Sequence, residues 1–446
     1  MNVVMLSTDR TICENGSAAQ NRMIEYGTLV TELHVVVFTL KGAGPLVLIA
    51  SEDGIPRLRI ARNVYVYPTE SARKTDYFRD AFSLGKKILA GALGPPERRV
   101  QKGQAADLKK SKLRKNLVIR SIFGASKTVD LNMLRRQAPS GWLITTQDPF
   151  ETGTVGVRLK RTFAVPLQIQ VHTDFLSRYF WKESLKNKMR VLMAERNLKR
   201  ADCVRVVSER LKKSIEKAKL IRKDVSITVL PIYTDIANKT TLSIFSDVKR
   251  SDEKNVILDL HREYPNHDFV ILMASRLARE KNIAMALNTV ARVVKKHPEV
   301  LLVIIGDGPE RGNLEKQGRP LRDNVVFLPW TKDLDLYYET ADLFLLTSNY
   351  EGYGRTVIEA QAHGLPVLMT DVGCAGEIIE DGRGAIVVPV KNGALLARRL
   401  IEIIENPALR ADLQNGARLI STKLMSREDH LKAYRQDWLA CAGENS

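Results

Sequence analysis

Cysteine, long apolar runs and metal-ligand spacings are all scarce in this 446-residue chain, and each scarcity removes a class of protein. The four cysteines, Cys13, Cys203, Cys374 and Cys441, lie far apart in no Cys/His pattern. They read as reduced and incidental, which excludes a disulfide scaffold and a zinc module. The most apolar stretch, 33–50, is broken by His34, Lys41, Gly42 and Gly44. No segment therefore has the roughly 18–20 apolar residues that a spanning helix needs. The opening Met1-Asn-Val-Val-Met-Leu6 enters an apolar strand without a basic region or cleavage site, so no signal peptide is expected. A cytoplasmic protein in a reducing compartment follows as the expectation.

Basic charge, by contrast, is abundant and uneven. The formal net charge is +18. Residues 71–127 hold fifteen Lys and Arg against four acids, and 181–223 hold fifteen against five. Those two windows exceed the whole chain's excess, so the remainder is close to neutral. Such asymmetry points to an anionic partner, either nucleic acid or a membrane with acidic lipids.

Short apolar runs alternate with helical patterns over most of the length. Runs at 3–6, 34–40, 142–145, 167–171 and 203–207 form one series of buried strands. Runs at 269–274, 301–305, 325–328, 343–346, 366–369 and 385–388 form a second. Continuous apolar strands between amphipathic helices mark parallel sheets covered on both faces, hence α/β domains of the doubly wound type. A length of 446 residues exceeds what one core usually holds. The expected division is a first domain at 1–232 with a basic insertion at about 72–127, a linker at 233–264, a second domain at 265–420 and a helical tail at 421–446.

Three strand-to-helix turns in the second series carry the chemistry. Thr347-Ser-Asn-Tyr-Glu-Gly-Tyr-Gly-Arg-Thr-Val-Ile-Glu359 follows a strand and opens a helix. Gly352 and Gly354 there permit close backbone approach, and the helix start offers free N–H groups to a phosphate. Glu351 at the turn suits sugar hydroxyls, and Glu359, one to two turns into the helix, suits a ribose diol. Met273-Ala-Ser-Arg-Leu-Ala-Arg-Glu-Lys-Asn282 brings Arg276 and Lys281 to a second turn. A guanidinium and an ammonium together neutralise the charge that develops on a departing diphosphate. Gly306-Asp307-Gly308-Pro309 makes the third turn, near the same sheet edge.

In this order the motifs resemble the retaining glycosyltransferases of family 4, with the GT-B fold of two Rossmann-like domains facing across a cleft. The matching residues are Ser275-Arg276-Leu277, Glu280-Lys281-Asn282, Gly306 to Pro309, Ala341-Asp342, Ser348 to Gly354, Glu359-Ala360, Gly364 to Val367, Gly373 and Glu377. The resemblance implies that Arg276 and Lys281 bind the donor diphosphate, Glu351 the donor sugar and Glu359 the ribose. It implies that the Gly352, Tyr353 and Gly354 segment lines the sugar–phosphate site. It also implies that the base rests at the strand end Phe327-Leu328-Pro329-Trp330. In the first half, His172 of Val171-His-Thr-Asp174 matches the family's histidine near the donor sugar, and Val207-Ser208-Glu209 matches the end of its first domain. Asn15-Gly16-Ser17 stands where the family has a Gly-Gly loop, and Pro231-Ile-Tyr-Thr-Asp235 where it has a Pro-Asn-Gly hinge.

The implied reaction moves a sugar from a UDP- or GDP-linked donor to a hydroxyl acceptor with retention, the leaving phosphate helping to deprotonate that hydroxyl. No metal and no further cofactor are implied, Arg276 and Lys281 taking the metal's place; Asp333-Leu-Asp335 is read as a helix start rather than a metal site. The segments 86–93 and 113–123, which mix basic and aliphatic residues, suit an anionic headgroup layer, and Tyr179-Phe180-Trp181 adds an aromatic edge. A peripherally membrane-associated enzyme with a lipid-linked or glycan acceptor is therefore expected. An epimerase of the same fold, a nucleic-acid-binding basic protein and a catalytically silent homologue are the alternatives. No recognition helix, zinc spacing or aromatic RNA-binding signature supports the nucleic-acid reading.

Overall fold

The structure is a computed structural model describing residues 1–42, 55–92, 140–234 and 259–444. The basic segment 113–123 and the linker residues 235–258 lie outside the described residues, as does most of the 72–127 insertion.

The first sheet comprises β1 (Asn2–Ser7), β2 (Glu32–Val37), β3 (Leu58–Ala61), β4 (Val64–Pro68), β5 (Trp142–Thr146), β6 (Leu167–Val171), β7 (Cys203–Val206) and β8 (Ser226–Val229). Its order is β3-β4-β2-β1-β5-β6-β7-β8. Every pairing is parallel except β3 with β4. The second sheet comprises β9 (Phe269–Ala274), β10 (Val300–Ile305), β11 (Val325–Leu328), β12 (Leu343–Leu346), β13 (Val367–Thr370), β14 (Glu380–Asp381) and β15 (Gly384–Val388), in the order β11-β10-β9-β12-β13-β15-β14. Strands such as Val300–Ile305 and Phe269–Ala274 are buried along their whole length, as two-sided helix cover requires. The two α/β units match the expected fold class.

Sheet order decides where a ligand can bind. In the second sheet the winding reverses between β9 and β12, and in the first between β1 and β5. Crevices beyond the carboxyl ends of strands at such reversals are the ligand sites of open α/β sheets.

The helices that matter here are α1 (Ala18–Gly27), α2 (Tyr77–Ala92), α3 (Glu151–Phe163), α4 (Arg178–Glu183), α5 (Leu185–Leu198), α6 (Glu209–Lys217), α7 (Ile283–Val293), α8 (Arg355–Ala362) and α9 (Arg427–Ala442). Ser17, Ser177, Ser184, Ser208 and Ser426 start five of them, each side chain accepting from a backbone N–H of the first turn. The aliphatic side of α2 faces inward, with Ile88 and Leu89 buried. The expectation that 86–93 lays its apolar side in a headgroup layer is corrected accordingly.

Helix α9 returns to the first sheet. Its Tyr434 and Trp438 are buried with Val3, Met5, Met23 and Tyr26. Gln168 of β6 accepts from the Trp438 indole at 3.1 Å and donates to Asp437 at 2.8 Å. The same return pairs Cys203 of β7 with Cys441 in a disulfide, Cα to Cα 5.8 Å. The expectation of four reduced, isolated cysteines therefore holds only for Cys13 and Cys374. A separation of 238 residues carries no spacing signal that could have shown the pairing.

Candidate active site

Two loops from the strands flanking the reversal in the second sheet meet at Lys281 and Glu351. The loop after β9 carries Lys281 and the loop after β12 carries Glu351. Backbone bonds hold them together, with Asn349 donating to the Glu280 carbonyl at 2.7 Å and the Thr347 hydroxyl to the Lys281 carbonyl at 2.9 Å. Lys281 Nζ lies 2.5 Å from Glu351 Oε1, which also accepts from Ser348 Oγ at 2.8 Å. Both charged side chains are mostly buried. An ammonium has three donors, so Lys281 keeps two for a phosphate while one holds Glu351 in place.

The glycine turn around Gly352 is built by close backbone contact. A Cβ on Gly352 would lie 1.9 Å from the carbonyl oxygen of His172, across the cleft on the first domain. Gly354 takes φ +92° at the start of α8, a conformation that favours glycine. Gly373, at φ +57°, braces the turn from behind, since a Cβ there would meet the Tyr353 carbonyl at 2.4 Å. Tyr353 is itself buried.

Four expected donor residues take places the sequence did not show. Gly306, at φ +144°, lies where a Cβ would come 1.9 Å from the Ser275 carbonyl. Leu277 N–H donates to the Asp307 carbonyl at 2.9 Å. The Gly306–Gly308 loop thus braces the loop carrying Arg276. Asp307 does reach a cavity of about 430 Å³ shared with Ser275, Arg276, Trp330, Thr331 and Thr356. Leu328 lines no part of it: its carbonyl accepts from Gly306 N–H at 3.2 Å and faces the Arg311 guanidinium at 3.4 Å. Trp330, two residues on and 71% exposed, is the group that lines it. Gly16 has its N–H engaged by Gln20 Oε1 at 3.0 Å, so that amide is taken within the loop. Arg276 pairs with Glu280 at 2.8 Å through one terminal nitrogen, leaving other donors toward the cavity.

Glu359 is mostly buried on α8. Its carboxylate accepts from Tyr338 Oη at 3.2 Å and from Arg355 at 2.9 Å. Burial, and then the Glu359 charge, push the Tyr338 phenol well above its usual range, so it remains the donor of this pair.

His172 immediately follows β6 and lines a cleft of about 640 Å³ with Gln147, Arg205, Arg22 and Arg355. Its Nε2 is 3.1 Å from Gln170 Oε1. That oxygen also accepts from Arg205 at 2.8 Å, which fixes the amide's orientation and makes His172 Nε2 the donor. Burial, and then the Arg205 and Arg22 charges, hold the imidazole down to about 3. His172 is therefore neutral with Nδ1 unprotonated, an acceptor for a hydroxyl.

The two domains are also joined outside the cleft floor. Glu377 accepts from the Glu209 and Arg210 amides at the start of α6, at 2.9 and 2.7 Å, and Arg210 reaches Asp371 at 2.5 Å. A carboxylate there meets two of the helix's orphan amides and the favourable end of the helix dipole. Among the described residues no three His, Cys, Asp or Glu side chains converge as a metal site requires.

Comparison with known proteins meets the same loops. Residues 261–419 match the family model described as Glycosyl transferases group 1, a span that contains Arg276, Lys281, Glu351 and Glu359. This span is similar to the glycosyltransferase domains of group 1. The chain is 26% identical over 306 residues to the alpha-monoglucosyldiacylglycerol synthase of Acholeplasma laidlawii, covering 67% of this chain and 75% of that one. Sucrose-phosphate synthase from Thermosynechococcus elongatus superposes over 98% of this chain and 99% of its own, with TM-score 0.65 and 19% identity. Anabaena HepE in complex with UDP-glucose does so over 98% of each chain, with TM-score 0.64 and 17% identity. At those identities the structural likeness shows the GT-B fold, with the matched span 261–419 in its second half.

Proposed function

We propose that the protein transfers a sugar, with retention of anomeric configuration, from a UDP- or GDP-linked donor to a hydroxyl acceptor, without a metal. The observation that carries this reading is the Lys281–Glu351 pair at the strand reversal, on a turn whose Gly352 meets the backbone of His172 on the opposite domain. Lys281 and Arg276 would take the diphosphate as its charge grows on bond cleavage. Glu351 and His172 Nδ1 would accept from sugar hydroxyls and orient the anomeric carbon, the leaving phosphate oxygen receiving the acceptor's proton. Trp330 offers a face for the base and Glu359 an acceptor for the ribose diol. The Gly352–His172 contact would help to exclude water.

The acceptor is read as a lipid-linked glycan, a glycolipid or a polysaccharide precursor at the cytoplasmic face of a membrane. The glycolipid synthase relative and the basic first half of the chain support this. Among the described residues no helix is long and apolar enough to cross a membrane, so the association would be peripheral.

Calorimetric titration of UDP and of GDP, without metal, into the wild type and Glu359→Ala tests the donor site. Micromolar binding of one nucleotide, weakened in the variant, is expected. Binding of neither, with or without magnesium, would overturn the reading.

A further inference from the structure

Seven large apolar side chains are well exposed among the described residues, and four of them sit together on α4 and α5. Leu185 is 77% exposed, Met189 65%, Leu192 58% and Trp181 39%. Leu185, Met189 and Leu192 follow the i, i+4, i+7 spacing of one helix face. The opposite face of α5 buries Asn187, Val191, Ala194 and Leu198 against the first domain. The exposed stripe is thus surplus to the core, and surplus apolar surface gathered in one place marks an interaction site.

Its surroundings identify the occupant by charge. Lys182, Lys186, Arg196 and Lys199 are exposed around the stripe. The acids nearby are Glu183, which accepts from Tyr350, and the half-buried Glu195. An apolar stripe rimmed by cations, with no exposed acid on α5, matches an anionic bilayer surface, where side chains enter the acyl boundary and ammonium groups meet headgroups.

The position matters as much as the composition. Helix α4 reaches the donor loop directly: Phe180 meets Tyr350 edge to face at 5.6 Å, and Tyr350 Oη donates to Glu183 at 2.5 Å. Tyr350 immediately precedes Glu351. We infer that the α4–α5 face, through Trp181, Leu185, Met189 and Leu192 with their basic rim, is the surface that docks on an anionic membrane and sets the sugar-transfer cleft beside it. This rests on the membrane-associated reading above and gives it a place and an orientation.

The full chain, and the variant Leu185→Ser/Met189→Ser/Leu192→Ser, would be sedimented with phosphatidylcholine vesicles containing or lacking phosphatidylglycerol. The wild type is expected to bind the anionic vesicles and to be released by high salt. The triple variant should lose about tenfold or more of that affinity. Lys182→Gln/Lys186→Gln should weaken binding and flatten its salt dependence. Unchanged vesicle binding by the triple variant would overturn the inference. So would a wild-type oligomer in sedimentation velocity that the triple variant converts to monomer, because the stripe would then be a protein interface. Nucleotide calorimetry on the same variant separates the two readings: retained binding with lost vesicle affinity supports both, and absent nucleotide binding in the wild type fails the donor-site reading alone.

Discussion

Gly352 faces the carbonyl oxygen of His172 with no room for a side chain, a Cβ there falling 1.9 Å from that oxygen. The loop that carries Glu351 and the strand end that carries His172 are therefore in van der Waals contact through bare backbone. Residue 352 sets how closely the domains approach.

Gly352→Ala is expected to hold the cleft ajar while leaving each domain folded. A displacement of about 1 Å at a reacting centre can cost on the order of a hundredfold in rate. Steady-state assays should show kcat/KM falling by about that factor with the unfolding midpoint close to wild type. An active enzyme with unchanged kcat/KM would show that this contact does not govern catalysis.

Lys281 and Glu351 form one unit, with each partly buried against the other. Removing either leaves an uncompensated charge, so Lys281→Met and Glu351→Gln should each lower kcat/KM by about a thousandfold. The double variant should be little worse than the worse single one. Additive losses in that cycle would show that the two act separately.

Trp330 should contribute to nucleotide affinity where Leu328 does not. Base stacking on an aromatic ring is worth about 1–3 kcal/mol, so Trp330→Ala is expected to raise the nucleotide Kd about 5- to 150-fold. Leu328→Ala should leave it nearly unchanged. The reverse pattern would return the base to the strand end itself.

Acid should destabilise the fold through two histidines. His172 is held down to about 3, by burial and then the Arg205 and Arg22 charges. His430 is held down to about 4, by burial and then Arg205. Their ordinary value is 6.5, so the unfolded chain takes up protons first as pH falls. The stability tied to their neutral forms is complete above pH 6.5 and drains away toward pH 4. Thermal unfolding between pH 7 and 5 should show this loss, and His430→Gln should reduce it. A pH–rate profile should show no limb from His172 between pH 5 and 8.

Local placement was legible in the sequence, and distant contact was not. Glu351, Gly352, Gly354 and Glu359 lie within one strand–turn–helix, so the pattern of residues alone placed them together. The core strands announced themselves as apolar runs. Leu58–Ala61 and Ser226–Val229 did not, because each is half exposed and forms an edge of the first sheet, and Val64–Pro68 was missed although it is mostly buried. Gly306 kept its turn but serves as a brace, and that required seeing the Ser275 carbonyl above it. The Glu377 cap on α6, the Cys203–Cys441 bond and the seat of α9 all join residues more than 150 positions apart. Periodicity has no reach over such distances.

The seat of α9 has a consequence for how the protein comes into being. Tyr434 and Trp438 fill the core beneath β1 and β5, and Tyr434 Oη meets the Gln170 amide that orients His172. A ribosome that has finished the first eight strands has therefore released a sheet with an open apolar side, and it must make some two hundred further residues before the cover arrives. Until then the nascent first half leaves that apolar side open to water. Any truncation that clips residues 427–442 would injure the half of the molecule synthesised first.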